Sequence, residues 1–290
     1  MHCNSTEAAW AWFRGTIPPM IEPRHLPEST RISVLTAAVL LAFALTRVLN
    51  ATPLFSMLVP IGSFRLTIAF NLNTVIVLLA AGVTATGMDW LLRTHPEMKK
   101  GGTREHWLLP TLTVLVIGIA LYTLPNTPIW WLGFGLGAGI FLVVALAEYV
   151  VVDPNDARYQ VAAAILTVIA FVIFLILATA LKAVNARLVM VVPALFIAGG
   201  LAALRTLHLR LNQHWEAAWA AGIGLVATQL GAALHYLPIS PVQFGLALLA
   251  PLYALTVLAA SLVEGNPFRR AFLEPTLMLA LFWGMAFWFR

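Results

Sequence analysis

Apolar runs divide the chain into nine stretches, near 32–49, 73–92, 107–124, 129–152, 160–182, 188–206, 217–237, 242–263 and 274–289. Each is long enough, or nearly so, to cross the roughly 30 Å of bilayer hydrocarbon as a helix. The links between them are mostly brief, as in Pro125-Asn126-Thr127-Pro128 and Ile239-Ser240-Pro241. Short links force consecutive helices to run antiparallel in one bundle. The pattern therefore predicts an all-α integral membrane protein, a polytopic bundle of about nine transmembrane helices. It has two parts, an N-terminal segment over 1–31 and a single transmembrane bundle over 32–290.

One stretch departs from the helical pattern. From Phe64 to Asn73, apolar Phe64, Leu66, Ile68, Phe70 and Leu72 alternate with Arg65, Thr67, Asn71 and Asn73. Period two is a strand signal. Upstream, Leu54 to Val59 forms a second apolar run, and Pro60-Ile61-Gly62-Ser63 reads as a turn. The expectation is a small extracytoplasmic β-hairpin over 54–70.

Composition agrees with a lipid solvent. Of the 290 residues, 61% are hydrophobic and only 10% charged, against roughly 25% charged in a soluble domain. The net charge of +5 comes from basic residues in the links, where membrane orientation and anionic headgroups explain them. No basic stripe with interleaved aromatics is present, so nucleic acid is not an expected partner; the bilayer is. Cys3 is the only cysteine, too few for an internal disulfide. The first 31 residues carry Pro18, Pro19, Pro23 and Pro27, which exclude a long helix. Trp10, Trp12 and Phe13 are placed to rest on the membrane surface.

Lysine and arginine orient the bundle. With the N-terminus cytoplasmic, twelve of the 17 basic residues fall on the inner side: Arg14, Arg24, Arg31, Arg93, Lys99, Lys100, Arg104, Arg158, Arg205, Arg210, Arg269 and Arg270. Arg47, Arg65, Lys182, Arg187 and Arg290 fall outside. The bias predicts a cytoplasmic N-terminus and an extracytoplasmic C-terminus. Trp90, Trp107, Trp130, Trp131, Trp215, Trp219, Trp283 and Trp288 stand near the ends of runs, as an interfacial belt requires.

Candidate chemistry is sparse. The span-associated carboxylates Asp89, Glu148, Glu264 and Glu274 all lie toward the cytoplasmic ends, which argues against a proton-driven pump with a midplane acid. Asp89 and Glu148 sit a few residues inside their spans, and a lone buried carboxylate is costly. Arg93, Arg158, Arg205, His208 and Arg210 are partners at matching depth. Ion pairs that pin helix ends are the first reading of this set. An acid–base or cation site built on Asp89, Glu148, Arg205 and His208 is the second.

His95, His106, His208 and His214 share that side, but no spacing matches a metal motif, so no metal-ligating or cofactor-binding residue is assigned, and the sequence does not say which cofactor, if any, the protein uses. His235, beside Tyr236, reads as a packing histidine. On the outer side Arg47, Arg65, Asn71 and Asn73 read as a solvated rim, with Asn73-Thr74 as a helix start. Gly133, Gly135, Gly137 and Gly139 form two interleaved small-xxx-small patterns. They predict close packing on another helix, within the chain or with a membrane partner or second copy. Pro110, Pro193 and Pro251 fall inside spans. No sequence repeat, phosphate loop, nucleophile elbow or paired-aspartate run is visible.

The tracts Gly87-Met88-Asp89-Trp90-Leu91-Leu92-Arg93 and Ser240-Pro241-Val242-Gln243-Phe244-Gly245 resemble uncharacterised bacterial multi-pass membrane proteins grouped only by a domain of unknown function. The resemblance covers most of the chain from the first span onward. It implies a bacterial inner membrane and brings no activity, cofactor or catalytic residue. Three functions stay open. Transport or binding of a small or lipidic molecule stands first. A structural or accessory subunit of a larger membrane complex, and an interfacial enzyme acting on a lipid or isoprenoid, stand behind it.

Overall fold

A computed structural model describes residues 27–49, 53–61, 64–95, 98, 102–125, 127–211 and 214–288. The N-terminal segment through residue 26, with Trp10, Trp12 and Phe13, lies outside the described residues. In hydrocarbon no water can satisfy a backbone amide, so a crossing segment must close its hydrogen bonds within itself. Helices do so: α1 Ser29–Val48, α2 Leu72–Leu92, α3 Arg104–Thr123, α4 Pro128–Val151, α5 Tyr159–Ala183, α6 Leu188–Arg210, α7 Ala217–His235 and α8 Pro241–Val263. A four-residue turn, α9 Phe268–Ala271, leads into α10 Leu273–Trp288. Among the described residues, nine helical segments are long and apolar enough to cross a membrane, counting Phe268–Trp288 as one. The chain is a polytopic membrane protein.

Between α1 and α2, strands β1 Pro53–Ile61 and β2 Phe64–Asn71 pair antiparallel. The register runs from Ile61 opposite Phe64 to Phe55 opposite Phe70, with an irregularity between Pro53 and Phe55. Period-two alternation in the second strand and the turn-like tract before it are the local cause.

The core is filled by fully buried Phe43, Phe141, Phe174, Phe244 and Met88. α8 is central: 67% of its span window is buried, against 17% for the first and last spans. Thr84, Thr113, Thr228 and Thr256 are buried, and each hydroxyl donates to the carbonyl four residues earlier, at 2.7–2.8 Å. That intrahelical bond lets a polar side chain sit in an apolar bundle. Pro110, Pro193 and Pro251 lie within continuous helices.

The tightest helix pair is α6 with α7. A Cβ on Gly224 would stand 3.0 Å from the Gly200 nitrogen and 3.1 Å from the Phe196 carbonyl oxygen, so the backbones approach as only small residues allow. In α4 the glycines split. A Cβ on Gly133 or Gly137 would strike Leu124 or Ile117 of the α3 side, at 2.7 and 2.6 Å, whereas Gly135 and Gly139 meet nothing within 4 Å. The first pair packs within the chain, and the second faces outward.

Alternating helices gather their ends on two faces. One, the charged face, holds the ends of α2, α4, α6 and α8 and the starts of α3, α5 and α7. There Arg210 of α6 donates to Glu264 after α8, at 2.7 Å. The opposite, hairpin face has fewer charges. Lys182, in the last turn of α5, donates to the carbonyls of His235 and Leu237 at 2.6 and 3.0 Å, satisfying acceptors that the end of α7 leaves open. Ser240 and Gln243 close a reciprocal capping box at the start of α8, with Pro241 at the first helical position.

The tryptophans do not all form a belt. Trp131, Trp215, Trp219 and Trp288 are exposed, but Trp130 is buried. It stacks on Phe134 at 5.3 Å and lies beneath the Arg47 guanidinium at 4.7 Å. The cation over its face takes the place that the interface was expected to fill.

Candidate functional site

Three helices bring a buried ionic cluster together just inside the charged face. Glu148 sits in the last turn of α4 and is fully buried. Arg205 of α6, 3% exposed, donates from Nε to Glu148 Oε1 at 3.1 Å and from Nη2 to Oε2. His106, in the first turn of α3, places Nδ1 3.0 Å from Glu148 Oε2 and 3.4 Å from Arg205 Nη2. A carboxylate can only accept, so the ring proton belongs on Nδ1. The end of a helix carries negative partial charge, which disfavours Glu148 in its own helix. Arg205 supplies the compensation from a neighbour.

A second pair adjoins the first. Glu105, next to His106 on α3, receives the Nε2 side of His208 at 3.0 Å, and lies 3.8 Å from His106 Nε2. Glu105 is the most open member, with its side chain 23% exposed. Here the helix charges agree: an acid at the start of α3 and a histidine at the end of α6 each sit where the dipole favours them. The His208 ring also meets Trp215 at 4.7 Å, and His95 meets the edge of Tyr149 at 4.9 Å. Arg205 Nη1, Thr206 Oγ1 and His208 Nδ1 are buried and make no hydrogen bond to the described protein.

The structure thus joins Glu148 with Arg205, and reaches His208 through Glu105. It does not bring Asp89 to them. Asp89 accepts from its own-helix neighbour Arg93 at 2.7 Å and from Thr103 at 2.5 Å, with the Arg93 side chain 71% exposed. Arg158 pairs with Asp156 and Arg210 with Glu264, so of the five bases at matching depth Arg205 is the partner of Glu148. Glu105 and His106 escaped the sequence reading as members of this set, because the third span was drawn from 107, one turn too late. Among the described residues no group of three or more His, Cys, Asp or Glu is placed to hold a metal ion. Both Glu148 oxygens accept from the Arg205 guanidinium, so the carboxylate is held as an ion-pair acceptor.

The hairpin face holds open space instead of charge. A cleft of about 400 Å³ lies among α7, α8 and α10, with Leu230, Leu234, Ala247 and Phe287 in its walls. A smaller cavity, about 170 Å³, lies where α1, α2 and α3 meet below the hairpin. Asn71 and Asn73 line it. Here the expectation of a solvated rim fails for Asn73, which is 6% exposed with Oδ1 unpartnered. Asn73 is also not the helix cap: α2 begins at Leu72, with Asn71 before it making no side-chain cap bond. Arg47 covers Trp130 and Trp131, and the Arg65 side chain lies outside the described residues.

No curated protein and no solved structure matches this chain. A model of the family described as "Protein of unknown function (DUF5656)" matches residues 51–289, a stretch that contains both tracts singled out in the sequence, the ionic cluster and the cleft. The chain belongs to that family.

Proposed function

We propose that the protein binds a lipidic molecule within the bilayer of a bacterial inner membrane, with the charged face cytoplasmic. The lysine and arginine bias supports that orientation. The cleft among α7, α8 and α10 carries the reading. Its volume, about 400 Å³, falls in the range of small-molecule sites, roughly 300–1,000 Å³. Two polar side chains line it, and both are already satisfied. Gln243 accepts from the Ser240 amide at 2.8 Å and donates to the Ala286 carbonyl at 3.2 Å. Trp283 donates to the Ala247 carbonyl at 3.3 Å. The cleft therefore offers an apolar wall whose polar side chains are tied to the protein backbone, which suits an acyl or polyisoprenyl chain.

Ala247→Trp fills the cleft. Native mass spectrometry of protein released from nanodiscs should show a retained lipid on the unsubstituted chain and its loss from the variant. Equal retention by both would refute the reading. The accessory-subunit reading draws on Gly135 and Gly139, which face outward from α4 beside exposed Leu132 and Leu136. Gly139→Leu changing the oligomeric state or co-purifying chains would favour it.

A further inference from the structure

We propose that the cavity beneath the hairpin is a second binding site, for a neutral hydroxylated group such as a glycosyl or glyceryl headgroup. The proposal stands on the cavity among α1, α2 and α3 and does not rest on the cleft. At about 170 Å³ the space is too small for a whole lipid and suits a headgroup of a few heavy atoms.

Its polar lining selects the chemistry. Asn73 lines the cavity and is 6% exposed, and its buried Oδ1 has no hydrogen-bond partner, so the amide keeps an unused acceptor beside the space. Asn71, Thr46 and Thr74 complete the polar wall. The Thr46 hydroxyl donates to the Phe43 carbonyl at 2.7 Å and keeps acceptor capacity. The Asn71 side chain caps none of the first-turn amides of α2.

Among the described lining residues none is ionised. A phosphate or carboxylate would lose its water without gaining a cation from these residues. An ammonium would lose its water without gaining an anion, and burial of either charge alone is costly. A hydroxyl donates and accepts at once, which matches amides and hydroxyls mixed on one wall. Val77, Leu78 and Ile119 continue the same cavity as an apolar flank, and Leu78 and Ile119 are exposed on the outside of the bundle. A tail attached to the hydroxylated group can leave along them.

The test uses the full chain in nanodiscs holding monoglucosyl diacylglycerol and phosphatidic acid, which has no hydroxylated headgroup, with identical acyl chains, read by native mass spectrometry. The unsubstituted protein should retain the glucosyl lipid about tenfold over the anionic one, the preference that one recovered hydrogen bond to a buried orphan acceptor can supply. Asn73→Leu, close in shape, should bring the two lipids to parity. Ile119→Trp closes the cavity from its partly exposed wall without touching the amide and should give the same loss. Ala247→Trp, in the cleft, should leave the preference intact.

Competition by free glucose would assign the hydroxylated group to a soluble sugar; its absence would assign it to a lipid. Parity in the unsubstituted protein, or a preference that survives Asn73→Leu, would overturn the proposal. A preference abolished by Ala247→Trp alone would place the lipid in the cleft and overturn it as well.

Discussion

Arg205→Met should be among the most damaging single substitutions in the chain. Arg205 is 3% exposed and Glu148 0%, so water cannot enter to replace the guanidinium once it is gone. The variant strands a carboxylate in the last turn of α4, where the helix dipole already opposes it. His106 Nδ1 at 3.0 Å is then its remaining partner. Leaving one member of a buried pair uncompensated costs about 3–5 kcal/mol. Glu148→Met strands the guanidinium instead and should cost a similar amount. Were the two losses additive, the double variant would be about 6–10 kcal/mol less stable. It should instead lie near the parent protein, because replacing both charges with apolar side chains of similar length removes the desolvation penalty together with the attraction. Unfolding in mixed micelles, followed by tryptophan fluorescence, measures all four corners of this cycle, and Trp215 beside His208 is a local reporter. A loss below about 1 kcal/mol for Arg205→Met, the range of exposed pairs, would refute the argument. So would a double variant that falls at the sum of the singles.

Asp89→Asn offers the contrast: its partner Arg93 is 71% exposed, so the same measurement should show a loss of no more than about 1 kcal/mol, and a loss as large as that of Arg205→Met would place Asp89 in the buried network. Gly224→Ala should cost about 1–3 kcal/mol, because its Cβ would meet Gly200 and Phe196 backbone at 3.0–3.1 Å. Gly139→Ala, with nothing within 4 Å, should be neutral in the unfolding assay, and equal effects would reject the packing assigned to α6 and α7. Asn73→Leu in lipid-free micelles should leave stability unchanged or raise it by up to about 1–3 kcal/mol, since it removes an unpaired buried amide group; a clear loss would show that the amide is hydrogen-bonded within the protein.

The membrane spans are legible in the sequence because lipid imposes a one-dimensional rule. Each crossing must close its own backbone and remain apolar for about 20 residues, whatever its neighbours are. The hairpin is legible for the same reason, since alternation is local. Helix order within the bundle is not. Glu148 and Arg205 are 57 residues apart, and counting spans sets them at one depth without saying which helices touch. Five bases were therefore equal candidates until the contact between α4 and α6 selected Arg205. Glu105 and His106 were lost to a boundary. An apolar run starting at 107 leaves them in a loop, whereas α3 starting at Arg104 turns both into the bundle. In the tract Ser240-Pro241-Val242-Gln243, by contrast, the cap was written out in full, because capping is decided within four residues.

Asn73 shows how a boundary error hides a candidate site, and how periodicity recovers it. Placed before the helix, it is a cap facing water. Placed one residue inside, it belongs to the stripe Asn73, Val77, Ala80, Thr84, Met88 and Leu91, all buried on one face of α2. Steps of three and four residues keep such positions aligned on a helix of 3.6 residues per turn. Every other polar member of that stripe is satisfied locally; Thr84 returns its proton to Ala80. Asn73 cannot do likewise through Oδ1, which only accepts, and α2 has no carbonyl three or four residues before it. A buried amide end left open costs stability, and an apolar residue at that position would have continued the stripe without penalty. Among the described residues Thr36, Asn73, Arg205, Thr206 and His208 each keep a buried orphan polar atom, and of these Asn73 lines the cavity among α1, α2 and α3, so a ligand group that reached its Oδ1 would recover the energy the open amide costs.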